Sequence, residues 1–301
     1  MSCRMGRECR TGKTAPGCDV IYVSSTCSCK RRISEAVAEL AEGGFRNIEL
    51  SGGTVYYKGF EEDLLRLRDR YALHYLAHNY FPPPESDFVV NLASADSLVR
   101  QRSLEHLAGA IDFCRRLEIG RFGFHAGFFV DPDVTMLGRT MTCDAIGDRD
   151  ACRARFCEGV RELRSHAGRD VVLYVENNVC SRDNHDRFAG HPPFMGLRFR
   201  ELREIADATG CRILFDVAHL YVTSVSMGLD FAEEMRMFMR SDYLHVSDND
   251  GLRDLNRELD KDGKIFSQLR RYPLRGRTIT LEISSSPAGL RRSLELLAAL
   301  D

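Results

Sequence analysis

Residues 213–219 read ILFDVAH. A run of apolar, strand-forming residues ends in an aspartate, and a histidine follows three places on. The interior of a β-strand disfavours Asp. The end of a strand, where a loop opens, does not. The same figure recurs along the chain. Eight short apolar runs have the length of strands: 19–24 (DVIYVS), 47–50 (NIEL), 72–77 (ALHYLA), 121–125 (RFGFH), 171–176 (VVLYVE), 211–216 (CRILFD), 242–246 (DYLHV) and 278–283 (TITLEI). Segments of helical period lie between them. Ile33, Ala36, Val37 and Leu40 follow the i, i+3, i+4, i+7 rule, and Leu104, Leu107, Ile111 and Cys114 keep a similar spacing. Near the end, Ser286 before Pro287 has the chemistry of a helix cap, and a helix carrying Leu290, Leu294 and Leu297 is predicted to follow.

Eight alternations of strand and helix predict an α/β fold of the (β/α)8 TIM-barrel type. Most of the runs are largely apolar, as parallel strands covered on both faces should be. No Gly-rich dinucleotide fingerprint follows the first run, which weighs against an open doubly wound sheet. Neither an internal repeat nor a linker interrupts the pattern, so residues 19–301 read as one barrel domain. Residues 1–18, MSCRMGRECRTGKTAPGC, read as a flexible basic extension. Their TGKT (11–14) lacks the earlier glycine and the preceding strand of a phosphate-binding loop. Two long connections, 79–97 and 177–197, are expected to cover an active site.

Composition bounds the function classes. With 44% hydrophobic and 29% charged residues over 301 positions, the chain can bury a large core. A net charge of −2 offers no global attraction to nucleic acid. No run approaches the ~18 apolar residues of a membrane span. The eleven cysteines are odd in number and scattered. That suits reduced thiols in a cytoplasmic protein better than a disulfide framework. Cys27 and Cys29 form a C-x-C with no second pair at zinc-finger spacing.

In such a barrel the chemistry sits where strands end and βα loops begin. Read in order, the ends offer Glu49, then His78 with Asn79, then His125, then Glu176 with Asn177 and Asn178. Asp216 with His219 follows, then His245 with Asp248, then Glu282. Seven of the eight runs thus deliver a histidine or a carboxylate to one rim. Converging carboxylates repel and are costly to desolvate unless a cation lies among them. A mixed oxygen and nitrogen set suits Mn²⁺, Zn²⁺, Co²⁺ or Fe²⁺. His74, inside the third run, reads as a packing residue. His106 and His166 fall on helical segments and read as ordinary surface or packing residues, and His185 and His191 lie in the long fifth loop, from which a side chain could reach substrate but more often does not.

The segments ENN (176–178), FDVAH (215–219), HVSDNDG (245–251) and LEIS (281–284) resemble those of the xylose isomerase-like barrel superfamily, over residues 19–300. That superfamily holds sugar and sugar-phosphate isomerases and epimerases, and endonuclease IV-type nucleases of abasic DNA. The resemblance implies one divalent ion held by Glu176, Asp216, His245 and Glu282. It implies that His219 contacts substrate. In the nuclease branch the third and fourth strands add ligands for a second ion, and His78 and His125 match those positions. That branch also needs an Asp-x-His after the seventh strand, and no histidine follows His245 here. The resemblance therefore implies a metal-dependent isomerase or epimerase of a small sugar or sugar phosphate. Proton transfer by Glu176 and Glu282 would proceed through an enediolate. Glu49, Asn79, Asn178 and Asp248 are expected to contact substrate. An endonuclease IV-like phosphodiesterase is the alternative. Its basic rim is not evident, because RRYPLRGR (270–277) precedes the eighth strand and falls at the opposite end of the barrel.

Overall fold

The computed structural model describes residues 20–143 and 145–300. The extension 1–18 and Asp19 lie outside the described residues. Eight parallel strands close on themselves in sequence order: β1 (Val20–Ser24), β2 (Asn47–Leu50), β3 (His74–His78), β4 (Arg121–His125), β5 (Val172–Glu176), β6 (Arg212–Asp216), β7 (Tyr243–Val246) and β8 (Thr278–Leu281). Closure pairs β1 with β8, Val20 opposite Thr278. The predicted runs and these strands differ by at most two residues at either end. Glu282 falls one residue beyond β8.

Among the described residues, ten α-helices accompany the strands: α1 (Ile33–Glu42), α2 (Phe60–Tyr71), α3 (Ser97–Arg116), α4 (Arg149–Ala167), α5 (Arg182–Arg187), α6 (Phe199–Thr209), α7 (Val217–Met227), α8 (Phe231–Phe238), α9 (Lys264–Leu269) and α10 (Pro287–Ala298). The expected apolar stripe of α1 is buried at Ile33, Ala36, Val37 and Leu40. Ser286 caps α10 by accepting from the Gly289 N–H, with Pro287 in its first turn. Among the described residues, no helix is long and apolar enough to cross a membrane.

The side-chain alternation of a strand explains why the rim residues share one address. Successive residues point to opposite faces. Ile48 and Leu50, Phe122 and Phe124, Leu173 and Val175, and Leu244 and Val246 point outward into the main core beneath the helices. The residues between them point inward. Leu76, Tyr174, Leu214 and Tyr243, with Tyr22 against them, fill the middle of the barrel as one layer. Two residues further along the same strands stand His78, Glu176, Asp216 and His245. The polar ring is thus the next inward layer, directly above an apolar and aromatic plug. Pairing keeps the ring in step, with His125 opposite Glu176 and Asp216 opposite His245.

Gly123 holds the inward position below His125, and it is glycine for lack of room. A Cβ there would lie 2.8 Å from Leu214 Cδ2 and 2.9 Å from His78 Cδ2. Gly123→Ala is expected to cost about 1–3 kcal/mol through overpacking. Urea unfolding of the variant checks this, and an unchanged midpoint would show that the barrel interior has slack. His74 corrects the expectation of a packing role. It begins β3 at the opposite end of the barrel and is exposed.

Candidate active site

The ring residues meet around Glu176, whose side chain is 1% exposed. Its Oε2 lies 2.7 Å from His78 Nε2 and 3.3 Å from His125 Nδ1. Its Oε1 lies 3.5 Å from His245 Nδ1 and 3.6 Å from His219 Nδ1. Glu282 reaches the same His245 imidazole from beyond β8, with Oε2 3.2 Å from Nδ1. Its other oxygen accepts from the Thr26 hydroxyl.

Asp216 is fixed by its neighbours. Its backbone N–H donates to Asn177 Oδ1 at 2.8 Å, and its carbonyl accepts from Asn177 Nδ2 at 2.9 Å. Its Oδ1 caps α7 by accepting the His219 N–H at 2.7 Å. This answers the question raised by ILFDVAH. The aspartate ends a strand, starts a helix and keeps Oδ2 for the cluster. The histidine three places on is the first-turn residue that its carboxylate caps.

Two groups of ligand-type atoms follow, each within 4.8 Å: Glu176, Asp216 and His245, and Glu176, His78 and His125. Glu176 belongs to both. Glu49, His78 and His245 form a third such group. Several of these atoms are buried without a hydrogen-bond partner, namely Glu176 Oε1, His125 Nδ1 and both nitrogens of His245. Buried polar atoms in native proteins are normally satisfied. Burial pushes the Asp216 carboxyl up to about 7 and holds the His125 imidazole down to about 4. Orphaned lone pairs and a carboxylate that resists ionisation are what a bound cation would relieve. The residues present therefore fit a divalent ion of the oxygen- and nitrogen-preferring kind.

Beside this cluster opens a cavity of about 490 Å³, a size suited to a small molecule. His125 and His219 form its wall toward the cluster. Its other walls come from the loops after β3, β4, β5 and β7, including Tyr80, Phe128, Met141 and Phe194. The two long connections expected to cover the site do so. The connection after β4, 126–148, also contributes, and it is longer than either, although the sequence pattern does not flag it.

Asn79 and Asn178 line the cavity. Asn79 Oδ1 is buried and unpartnered, free for a ligand. The Asn178 amide instead donates to the carbonyls of Ala126, Gly127 and Met195, tying two loops together. Two expected substrate contacts lie elsewhere. Glu49 is fully buried beneath His245, with its carboxylate accepting from Tyr243 and Thr280. Asp248 accepts the backbone N–H groups of Asn249 and Asp260 and organises the loop after β7. Among nearby aromatic residues, Tyr80 and Phe128 line the cavity, whereas Phe81 and Phe129 are buried away from it. His185 pairs with Asp186 and His191 is exposed, and neither lines the cavity. Burial raises the Cys27 thiol to about 12, its Sγ lies 3.5 Å from the Leu281 carbonyl oxygen, and among the described residues neither Cys27 nor Cys29 joins a group of ligand-type atoms.

The sequence reading misses Asp254. Its Oδ2 lies 3.2 Å from His219 Nε2, on the cavity wall. His219 also donates from Nδ1 to the Asn177 carbonyl at 2.9 Å, so the ring is held at both ends. Asp254 sits in a loop with no periodicity, and nothing in GLRDLN marks it out.

Residues 37–300 match the family described as the xylose isomerase-like TIM barrel. No curated protein is similar to the chain in a comparison of sequences. Among solved structures, a D-tagatose 3-epimerase-like protein superposes with a TM-score of 0.66 at 19% identity, covering 93% of this chain and 96% of that one. Endonuclease IV from Thermus thermophilus superposes at 0.59 with 20% identity, over 93% and 98%. A 3-keto-D-glucoside 4-epimerase from E. coli does so at 0.61 with 16% identity, over 93% and 98%. At these identities the likeness is one of fold.

Proposed function

The chain belongs to the xylose isomerase-like TIM barrel family, and from that premise we propose that it is a divalent-metal-dependent isomerase or epimerase of a sugar or sugar phosphate. One observation carries the reading. Glu176, Asp216 and His245 converge, fully buried, beside a cavity of small-molecule size. Among the described residues, no lysine or arginine is an ion-pair partner of the three.

Glu176, Asp216, His245 and Glu282 would hold the ion, which supplies charge stabilisation for the oxygens of an enediolate. The chain's own groups do the rest. Glu176 and Glu282 flank His245 Nδ1 at 3.5 and 3.2 Å and come from different sides of the barrel. They are the pair for removing and returning a proton next to a carbonyl. His219, fixed between Asn177 and Asp254, lines the cavity wall where substrate would lie, and Asp254 is the partner that a substrate hydroxyl would share with His219 Nε2. Asn79 Oδ1 accepts from a hydroxyl.

The test combines elemental analysis with isotope exchange. About one divalent ion per chain is expected after purification without added metal. Uptake of solvent deuterium next to the carbonyl is expected for a member of a panel of ketoses and ketose phosphates. A metal-free chain that catalyses exchange at full rate would refute the proposal.

The group His78, His125 and Glu176 favours a second reading, a hydrolytic centre of two ions sharing Glu176. Two or more ions per chain, with salt-sensitive cleavage of abasic DNA, would support it. The cavity argues for the small molecule. Its arginines are Arg139 and Arg253, and Arg253 faces Asp183 at 3.4 Å.

A further inference from the structure

Glu49 is a charged residue at the bottom of the polar ring, 0% exposed and excluded from the cavity. A buried carboxylate is costly unless its oxygens are satisfied and its charge is met. The oxygens are satisfied. Oε2 accepts from the Tyr243 hydroxyl and from Thr280 Oγ1 at 2.8 Å, and Oε1 faces the Ser51 hydroxyl at 3.5 Å. The charge is met by an imidazole. His245 Nε2 stands 2.9 Å from Oε1, at charge-pair distance though not aligned as a hydrogen bond. The opposite nitrogen of that ring, Nδ1, is the one that faces Glu176 and Glu282.

We infer that Glu49 is a positioning residue for His245. Its carboxylate keeps the ring proton on Nε2 and so leaves the Nδ1 lone pair directed at the cation site. Tyr243 and Thr280 hold Glu49 in turn. The chain Tyr243–Glu49–His245 runs from the aromatic plug to the polar ring within two layers of the barrel. This inference rests on the reading of the ring as a metal site. It assigns to β2 a task that neither the four ligands nor the cavity reveals. Partners that orient a ligating histidine through its other nitrogen commonly govern metal affinity by about 10–100-fold.

The experiment titrates the full-length chain, stripped of metal, with Co²⁺. It reads the dissociation constant, the number of ions and the visible absorption band. Glu49→Gln is expected to weaken Co²⁺ binding about 10–100-fold with the number of ions unchanged. Tyr243→Phe and Thr280→Val each remove one donor to Glu49 and are expected to weaken it in the same direction by less. Thr280→Ser, which keeps the hydroxyl, restores wild-type affinity. A Glu49→Gln chain that binds Co²⁺ as tightly as wild type overturns the inference. So does the loss of a whole equivalent of Co²⁺, which would make Glu49 a ligand of its own with His78 and His245. If Glu49→Gln does not fold, unchanged affinity in both Tyr243→Phe and Thr280→Val overturns it equally. A wild-type chain that takes up no Co²⁺ refutes the metal site itself, and this inference with it.

Discussion

Glu176→Gln is expected to lower turnover by at least about 10³-fold, within the ~10²–10⁴ that a positioned acid–base group supplies. The substitution keeps the volume of the side chain and removes its charge. Four imidazoles answer to that charge. His78 lies 2.7 Å away, His125 3.3 Å, His245 3.5 Å and His219 3.6 Å. Burial disfavours a charged His78, yet the Glu176 carboxylate outweighs it and raises that imidazole above its ordinary range. Without the carboxylate the proton-transfer group is gone, and His78 loses the partner that holds its ring. The measurement is deuterium exchange at fixed metal, alongside circular dichroism to show that the barrel survives. Exchange at more than a tenth of the wild-type rate in a folded variant would remove Glu176 from the chemistry.

Chelation is expected to be the largest single change in stability. An ion present at about 1,000 times its dissociation constant stabilises the fold by about 4 kcal/mol. With an unfolding entropy of about 2.1 cal/mol/K per residue, that is roughly 6–7 °C in melting temperature for a chain of 301 residues. The local reason is the charge balance of the ring. Glu176, Asp216 and His245 are each at most 1% exposed, and Glu282 has 18% of its side chain exposed. Without a cation their carboxylates face each other and a few imidazoles. Melting curves with and without a chelator, followed by re-addition of Mn²⁺, measure the effect. A melting temperature indifferent to both treatments would mean that the ring is satisfied by its imidazoles alone.

The barrel and most of its site are legible in the sequence because both rest on period two. FDVAH, HVSDNDG and LEIS give away their roles by putting a charged residue where a buried strand should continue. What the sequence conceals is which polar residue faces the cavity and which supports a neighbour. Glu49 and Glu176 both stand within one residue of the end of their strands. Glu49 meets Tyr243 and Thr280, which rise from β7 and β8 across the barrel, so only the closed structure separates the two roles. Asn178 and Asp248 are captured by loop backbone that folds back on them, a contact no spacing predicts. Asp254 and the connection after β4 are the converse. They reach the cavity from irregular loops, where neither helical nor strand period leaves a trace.

The ligand-type side chains stand at strand ends or one to three residues beyond, while most of the cavity wall comes from loops after β3, β4, β5 and β7. On the proposed function, ion retention and most of ligand choice would therefore be written in separate parts of the chain, with His125 and His219, which face Glu176 and line the cavity, bordering both. Shortening, lengthening or randomising a segment such as 137–141 is expected to leave the inward layer, and the affinity for the ion, as they are. The barrel is thus a starting point for directed evolution in which new substrates are sought by loop exchange alone, with metal content as the check that the chassis is intact.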